Sequence, residues 1–170
     1  SNKLGLLHKH LSSLKYTPLH KIEGFHSKHF YLQRAFNIEK ELYPVELRIF
    51  LEELVDNLHE YSLVLEHYHQ LIHGDPRIEN ILFSLNGNPI TFIDYDTFML
   101  GSIYIDIGDC LRSLMLLEDD VSLLYRLEEF VLGYFLSNPR SNIDNMHALS
   151  ALKYVTLELA LRFSIDSVEQ

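Results

Sequence analysis

Leucines at positions 4, 7, 11 and 14 recur at the three- and four-residue intervals that line up on one face of a helix, which predicts a short amphipathic helix from Lys3 to Leu14. Thr17-Pro18 ends it, because the residue before a proline is pushed out of the helical region. A second, weaker helix is expected from His26 to Phe36, with Phe25, His29, Phe30 and Leu32 crowded together. Pro44 suits the first turn of a third helix, whose inner face would carry Leu47, Phe50, Leu51, Leu54 and Leu58 before the pattern fades after Tyr61.

The texture then changes. Leu71-Ile72 runs into His73-Gly74-Asp75-Pro76, which no helix tolerates, and Ile81–Phe83 and Ile90–Ile93 are short apolar runs prone to β-structure. Asn86-Gly87-Asn88 lies between them and predicts a hairpin turn, since Asn and Gly accept positive φ. Past Gly101 the helical period returns. Asp106 is the expected cap of a helix reaching about Leu116, Asp119 or Asp120 starts another reaching Leu136, and Ser141 to Asp144 resembles a capping box. The last helix would turn Leu149, Leu152, Val155, Leu159 and Phe163 inward. This is a mainly α chain with one small β-hairpin (α+β), a single domain over residues 1–170 with no repeat or linker.

Composition narrows the partners. Twenty-four acidic residues against 14 basic ones give a net charge of -10, and no Lys/Arg cluster breaks that field. A surface for nucleic acid or anionic membrane is therefore excluded. An acidic protein that handles an anionic substrate needs cations between them, which points to a metal. The one cysteine, Cys110, has no internal partner and is read as a buried thiol in a reducing cytoplasm. No apolar run approaches the roughly 20 residues of a membrane span. The ten histidines accompany neither an HExxH motif nor paired cysteines, so they are expected as scattered surface imidazoles rather than a zinc site.

The chemistry concentrates in His73-Gly-Asp75-Pro-Arg77-Ile-Glu-Asn80, followed by the hairpin and Phe92-Ile93-Asp94-Tyr-Asp96-Thr97. Phosphoryl transfer needs a carboxylate to orient the attacking hydroxyl and oxygen ligands for the cation that neutralises the phosphates. Asp75 and Asn80 have the D-x-x-x-x-N spacing of a kinase catalytic loop. Paired strands leaving Asn80 and returning to Asp94 place their open ends about 5 Å apart, so a carboxamide and a carboxylate converge on one hard cation.

The run from HGDPRIENILF through FIDYDTFMLGSIYIDIGDCLRS resembles the aminoglycoside phosphotransferase and choline kinase family, nearest the branch that includes N-acetylhexosamine kinases. The resemblance is strong from Leu71 to Ser113 and weaker over LELALRF, residues 157–163. It implies a protein-kinase-like large lobe, with ATP as phosphate donor, magnesium or manganese as cofactor, and a hydroxyl of a small molecule, such as a sugar or aminosugar, as acceptor. It makes Asp75 the catalytic base, Asn80 and Asp94 the ligands that hold the metal and its nucleotide, and Asp96 an additional ligand or a support to one. His73 and Asp106 would support the catalytic loop, although Asp106 and Asp109 also fit as helix caps. Arg77 stands where that branch more often has lysine, and Arg77 and Arg162 are candidates for substrate contact, with a buried salt bridge the alternative for Arg162. Arg112 is expected to pair with a nearby acid.

Two other classes compete. IDYDT resembles a haloacid-dehalogenase phosphatase motif, but Thr97 directly follows Asp96 and the register is wrong. A kinase relic that binds a ligand or partner without catalysis is the second. The seven glycines form no G-x-G-x-x-G, and no β-rich stretch with an embedded lysine precedes the first helix, so the chain is expected to start just after the hinge and to lack the small lobe. Alone it should be inactive. It should pair with a small lobe or self-associate through apolar surface around the Leu4 and Leu7 helix.

Overall fold

The architecture is arranged around its last helix. The structure, a computed structural model, describes residues 1–16, 18, 22–37, 44–117 and 121–168. Helix α6 (Asn145–Asp166) packs along α4 (Ile103–Met115) and also meets α2 (Lys28–Asn37), α3 (Val45–Tyr61) and α5 (Leu123–Ser137). Asp144 starts α6 by accepting a 2.8 Å hydrogen bond from the His147 backbone N–H. Its buried stripe is Ala148, Ala151, Val155, Glu158, Leu161 and Ile165, while Phe163 is 63% exposed. Of the expected inner face, Val155 is buried and Leu149, Leu152 and Leu159 pack against the core, while Phe163 turns outward. Small residues sit inward because α4 comes close: a Cβ on Gly108 would overlap the Ala151 carbonyl oxygen.

Helix α1 (Asn2–Leu11) stops a turn short of its predicted end. Leu4 is buried in the main core, Leu11 is also buried, and Leu14 is exposed. Leu4, Leu7 and Leu11 of that row therefore belong to this chain's own interior. Burying each such side chain contributes roughly 1.5–3 kcal/mol. Thr17, the expected stop, and Asp119 and Asp120, the expected start of α5, lie outside the described residues. The cap of α5 is Ser122, whose hydroxyl accepts from the Tyr125 N–H. The cap of α4 is Ser102; Asp106 is buried inside the first turn and caps nothing. Ser141 belongs to a 3-10 turn and bonds back to Asn138 instead of capping α6. In α3, preceded by Pro44 as expected, Leu51, Leu54 and Leu58 face inward while Phe50 is half-exposed.

Strands β2 (Ile81–Phe83) and β3 (Pro89–Phe92) form the predicted hairpin, paired Ile81 to Phe92 and Leu82 to Thr91, with Gly87 at φ 76° in the turn. A second antiparallel pair is present that the sequence pattern does not announce: β1 (His69–Ile72) with β4 (Met99–Ser102). It fastens both ends of the segment 73–98, so the whole chemistry-bearing stretch is one loop with a clamped base. Among the described residues, no helix is long and apolar enough to cross a membrane.

Candidate active site

Past the end of β1 the chain turns sharply. Gly74 takes φ 89°, and a Cβ there would overlap the Thr97 carbonyl oxygen, so only glycine fits. Asp106 lies below this turn, fully buried. Its Oδ2 accepts from the His73 N–H and its Oδ1 from the Gly74 N–H, both at 2.8 Å. His8 on α1 donates a third hydrogen bond through Nε2, also 2.8 Å, and the Tyr134 hydroxyl sits 2.6 Å from His8 Nδ1. Burial raises the Tyr134 pKa, so the phenol keeps its proton and serves as donor. A buried carboxylate survives in a low-dielectric interior when its lone pairs are filled, and here they are.

The histidine above it ties the loop sideways. His73 Nε2 donates to the Ile93 carbonyl at 3.0 Å, while its Nδ1 accepts from the Asp75 N–H at 3.3 Å. Thr97 Oγ1 donates to the His73 carbonyl, and the Ile78 N–H donates to Ser113 Oγ on α4. Asp75 is thereby held at the mouth of a cavity.

Three sequence-predicted residues meet there. Asn80 Nδ2 donates to the Asp75 backbone oxygen at 2.8 Å and to its Oδ2 at 3.1 Å. Arg77 holds the same carboxylate from the other side, donating from Nη2 to Oδ2 at 3.0 Å, with Nε 2.6 Å from Oδ1 but not aligned to donate to it. That hydrogen bond comes first in keeping the guanidinium charged. The Ile93 N–H donates to the Asn80 carbonyl at 2.9 Å, which brings Asp94 alongside Asn80 as the hairpin argument requires. Asp94 adopts φ 66°, a left-handed conformation that costs a non-glycine residue of the order of 1 kcal/mol or more and is concentrated at functional sites. Asp96 is not gathered into this group; it is exposed and lines a smaller hollow of about 180 Å³ with Phe25, Thr97 and Phe98.

No described cluster of three or more His, Cys, Asp or Glu side chains could hold a metal by itself. The donor set that is present, one carboxamide and one exposed carboxylate of hard oxygen type, matches magnesium, which keeps several waters and shares its coordination with substrate phosphates. Asn80 uses its amide nitrogen on Asp75, leaving Oδ1 for a cation.

The cavity that Asp75 opens into holds about 360 Å³, within the usual range for small-molecule sites. Asp75, Arg77 and Arg162 reach it, together with four residues that were not singled out as site residues from the sequence: His26, Asp109, Arg112 and Glu158. Arg112 forks onto Asp109 Oδ1 with Nε at 3.1 Å and Nη2 at 2.8 Å, the acid pairing expected of it. Even so, burial pushes the Asp109 carboxyl up to about 6. His26 places Nδ1 2.8 Å from Glu158 Oε2 and Nε2 2.7 Å from the Gly74 carbonyl. Both ring nitrogens face acceptors, so both donate and the ring is an imidazolium. Burial would lower its pKa, but the hydrogen bond and charge of Glu158, aided by Gly74, outweigh that, and the net shift is upward.

Arg162 is only half-buried and its pairing with Asp166 is loose at 3.7 Å, so it is not a buried salt bridge. The expectation of surface histidines fails at His8, His26 and His73, which are buried or nearly so and partnered. The thiol of Cys110 is buried, and burial pushes it up to about 12. Glu158 lies inside the weakly matching 157–163 stretch, the one sequence signal that could have found it. His26 left none.

The sequence profile of the phosphotransferase enzyme family matches residues 3–136. No curated protein matches the chain. Among solved structures, the choline kinase LicA from Streptococcus pneumoniae aligns with a TM-score of 0.62 at 12% identity, over 97% of this chain and 55% of that one. At that identity the likeness concerns the fold alone, and the chain spans about half the length of the solved relative.

Proposed function

Because the chain belongs to the phosphotransferase enzyme family, we propose that it is the catalytic lobe of an ATP- and magnesium-dependent kinase that phosphorylates a hydroxyl of a small molecule, a sugar or aminosugar. The observation that supports this is the loop geometry: Asn80 Nδ2 donates to the Asp75 carboxylate, and the Ile93 N–H bonded to the Asn80 carbonyl sets the Asp94 backbone next to Asn80. Asp75 would orient the acceptor hydroxyl entering from the cavity and take its proton. Asn80 and Asp94 would hold magnesium, which neutralises phosphate charge when bound. Asp106, through the His73 and Gly74 amides, would fix where Asp75 stands, and Arg162 would reach the acceptor from the far wall. Asp96, lying apart, would act only as a support.

Arg77 favours a second reading. It donates to Oδ2 of the Asp75 carboxylate and lies against Oδ1, as in a relic that binds a ligand without catalysis. Two measurements separate the readings. Manganese titration of the wild type and Asp94→Ala should show binding in the former and loss in the latter; equal binding removes the metal assignment. In a protein that carries this lobe with its nucleotide-covering partner, Asp75→Asn should lower turnover by about 10²–10⁴-fold with nucleotide affinity nearly unchanged. Unchanged turnover would remove Asp75 as the base, and no turnover in the wild type would leave the relic.

A further inference from the structure

The cavity beside Asp75 contains two nearly fully buried carboxylates that are each only half used. Asp109 is 4% exposed; Arg112 takes its Oδ1, and its Oδ2 has no hydrogen-bond partner. Glu158 is 3% exposed; His26 takes its Oε2, and its Oε1 has no partner in hydrogen-bond geometry, while the Tyr154 hydroxyl is near enough to hydrogen-bond the carboxylate and feel its charge. Leaving a buried acceptor unsatisfied costs about 1–3 kcal/mol, more for a charged one. Both residues line the cavity, so a ligand with O–H or N–H donors could complete them.

Charge decides which donors. The cavity lining carries the carboxylates of Asp75, Asp109 and Glu158 against the guanidinia of Arg77, Arg112 and Arg162, and the His26 imidazolium adds a fourth positive group. An entering ammonium would meet no surplus of negative charge, and a quaternary ammonium has no donor to give either free oxygen. A neutral molecule with several hydroxyls supplies donors without bringing charge. Resting on the phosphotransferase reading, we propose that Asp109 and Glu158 are the specificity-determining residues of the acceptor site, each accepting a hydroxyl of a neutral polyol whose further hydroxyl faces Asp75. Cationic amino alcohols are disfavoured by the same wall.

The test needs no turnover. The whole chain is titrated, without nucleotide, with N-acetylglucosamine, glucose and myo-inositol as neutral polyols, and with glucosamine and choline as cations, by saturation-transfer NMR and calorimetry. Saturable binding by at least one neutral polyol is expected, with choline silent and glucosamine weaker than its N-acetyl form. Asp109→Asn and Glu158→Gln should each weaken the bound polyol about tenfold or more, while exposed Glu128→Gln on α5 does not. Circular dichroism checks folding, and if Glu158→Gln unfolds, Asp109→Asn carries the test. No neutral polyol binding, choline binding more tightly than the polyols, or unaltered affinity in a folded variant overturns the proposal. Phosphoryl transfer to choline alone would sink this inference and keep the kinase reading. Polyol binding with no transfer in the complete enzyme would do the reverse.

Discussion

Asp106 and Asp109 stand three residues apart on α4, both buried, and they finish two different regions. Beneath the loop, Asp106 receives two backbone amides and an imidazole, and the residues that donate them are themselves bonded onward to Tyr134, Ile93 and Thr97. Across the cavity, Asp109 has one oxygen gripped by Arg112 and the other bare, and its carboxyl is raised to about 6. A carboxylate whose lone pairs are filled fixes the backbone around it. One left half-filled stores a binding capacity at some cost in stability. Identical side chains on one helix thus separate into scaffold and site by what surrounds them.

The largest effect should come from breaking the scaffold side. Asp106→Ala removes three charge-assisted hydrogen bonds and strands two buried amides and His8, so unfolding free energy should fall by about 3–5 kcal/mol in urea denaturation. A loss below about 1 kcal/mol would erase the distinction between the two regions. Asp109→Asn, by contrast, should shift stability at neutral pH by no more than about 1 kcal/mol. It keeps an acceptor for Arg112 and relieves the penalty of ionising a buried acid. A loss as large as that of Asp106→Ala would move Asp109 into the scaffold.

The smallest effect is a slope. The folded pKa of His26 lies above its ordinary value of 6.5. Its imidazolium therefore contributes stability that is complete below about 6.5 and is lost as pH rises through the higher folded value. Wild-type thermal midpoints should decline between about pH 6 and about pH 9 more steeply than those of His26→Gln, which lacks the titrating ring. Parallel curves would mean that the Gly74–His26–Glu158 bridge is not charged.

Much of the site was legible because it is local. Asp75 and Asn80 are five residues apart, the Asn86-Gly87-Asn88 turn chooses the hairpin, and the hairpin register carries Asp94 back to Asn80. Helix positions were also readable, but not always which face turned inward. Helical spacing puts Phe163 in the inward row of α6, but it is exposed, and where α4 passes closely at Gly108 the contact is made by Ala151 and Val155. The β1–β4 clamp escaped notice because its strands are four residues each and Met-Leu-Gly-Ser carries no β-branched signal.

The sequence by itself determined the 73–80 loop, the hairpin and the kinase-like family resemblance, since spacing, turn chemistry and helical period act over a few residues. The tertiary structure alone decided that His8 bonds Asp106, 98 positions away, and that His26 bonds Glu158, 132 positions away. It also decided which carboxylate would be filled and which left open. The physical reason is that a hydrogen bond depends on where two atoms lie, and burial depends on every surface that closes around them. Neither quantity exists until α1, α4, α5 and α6 have packed.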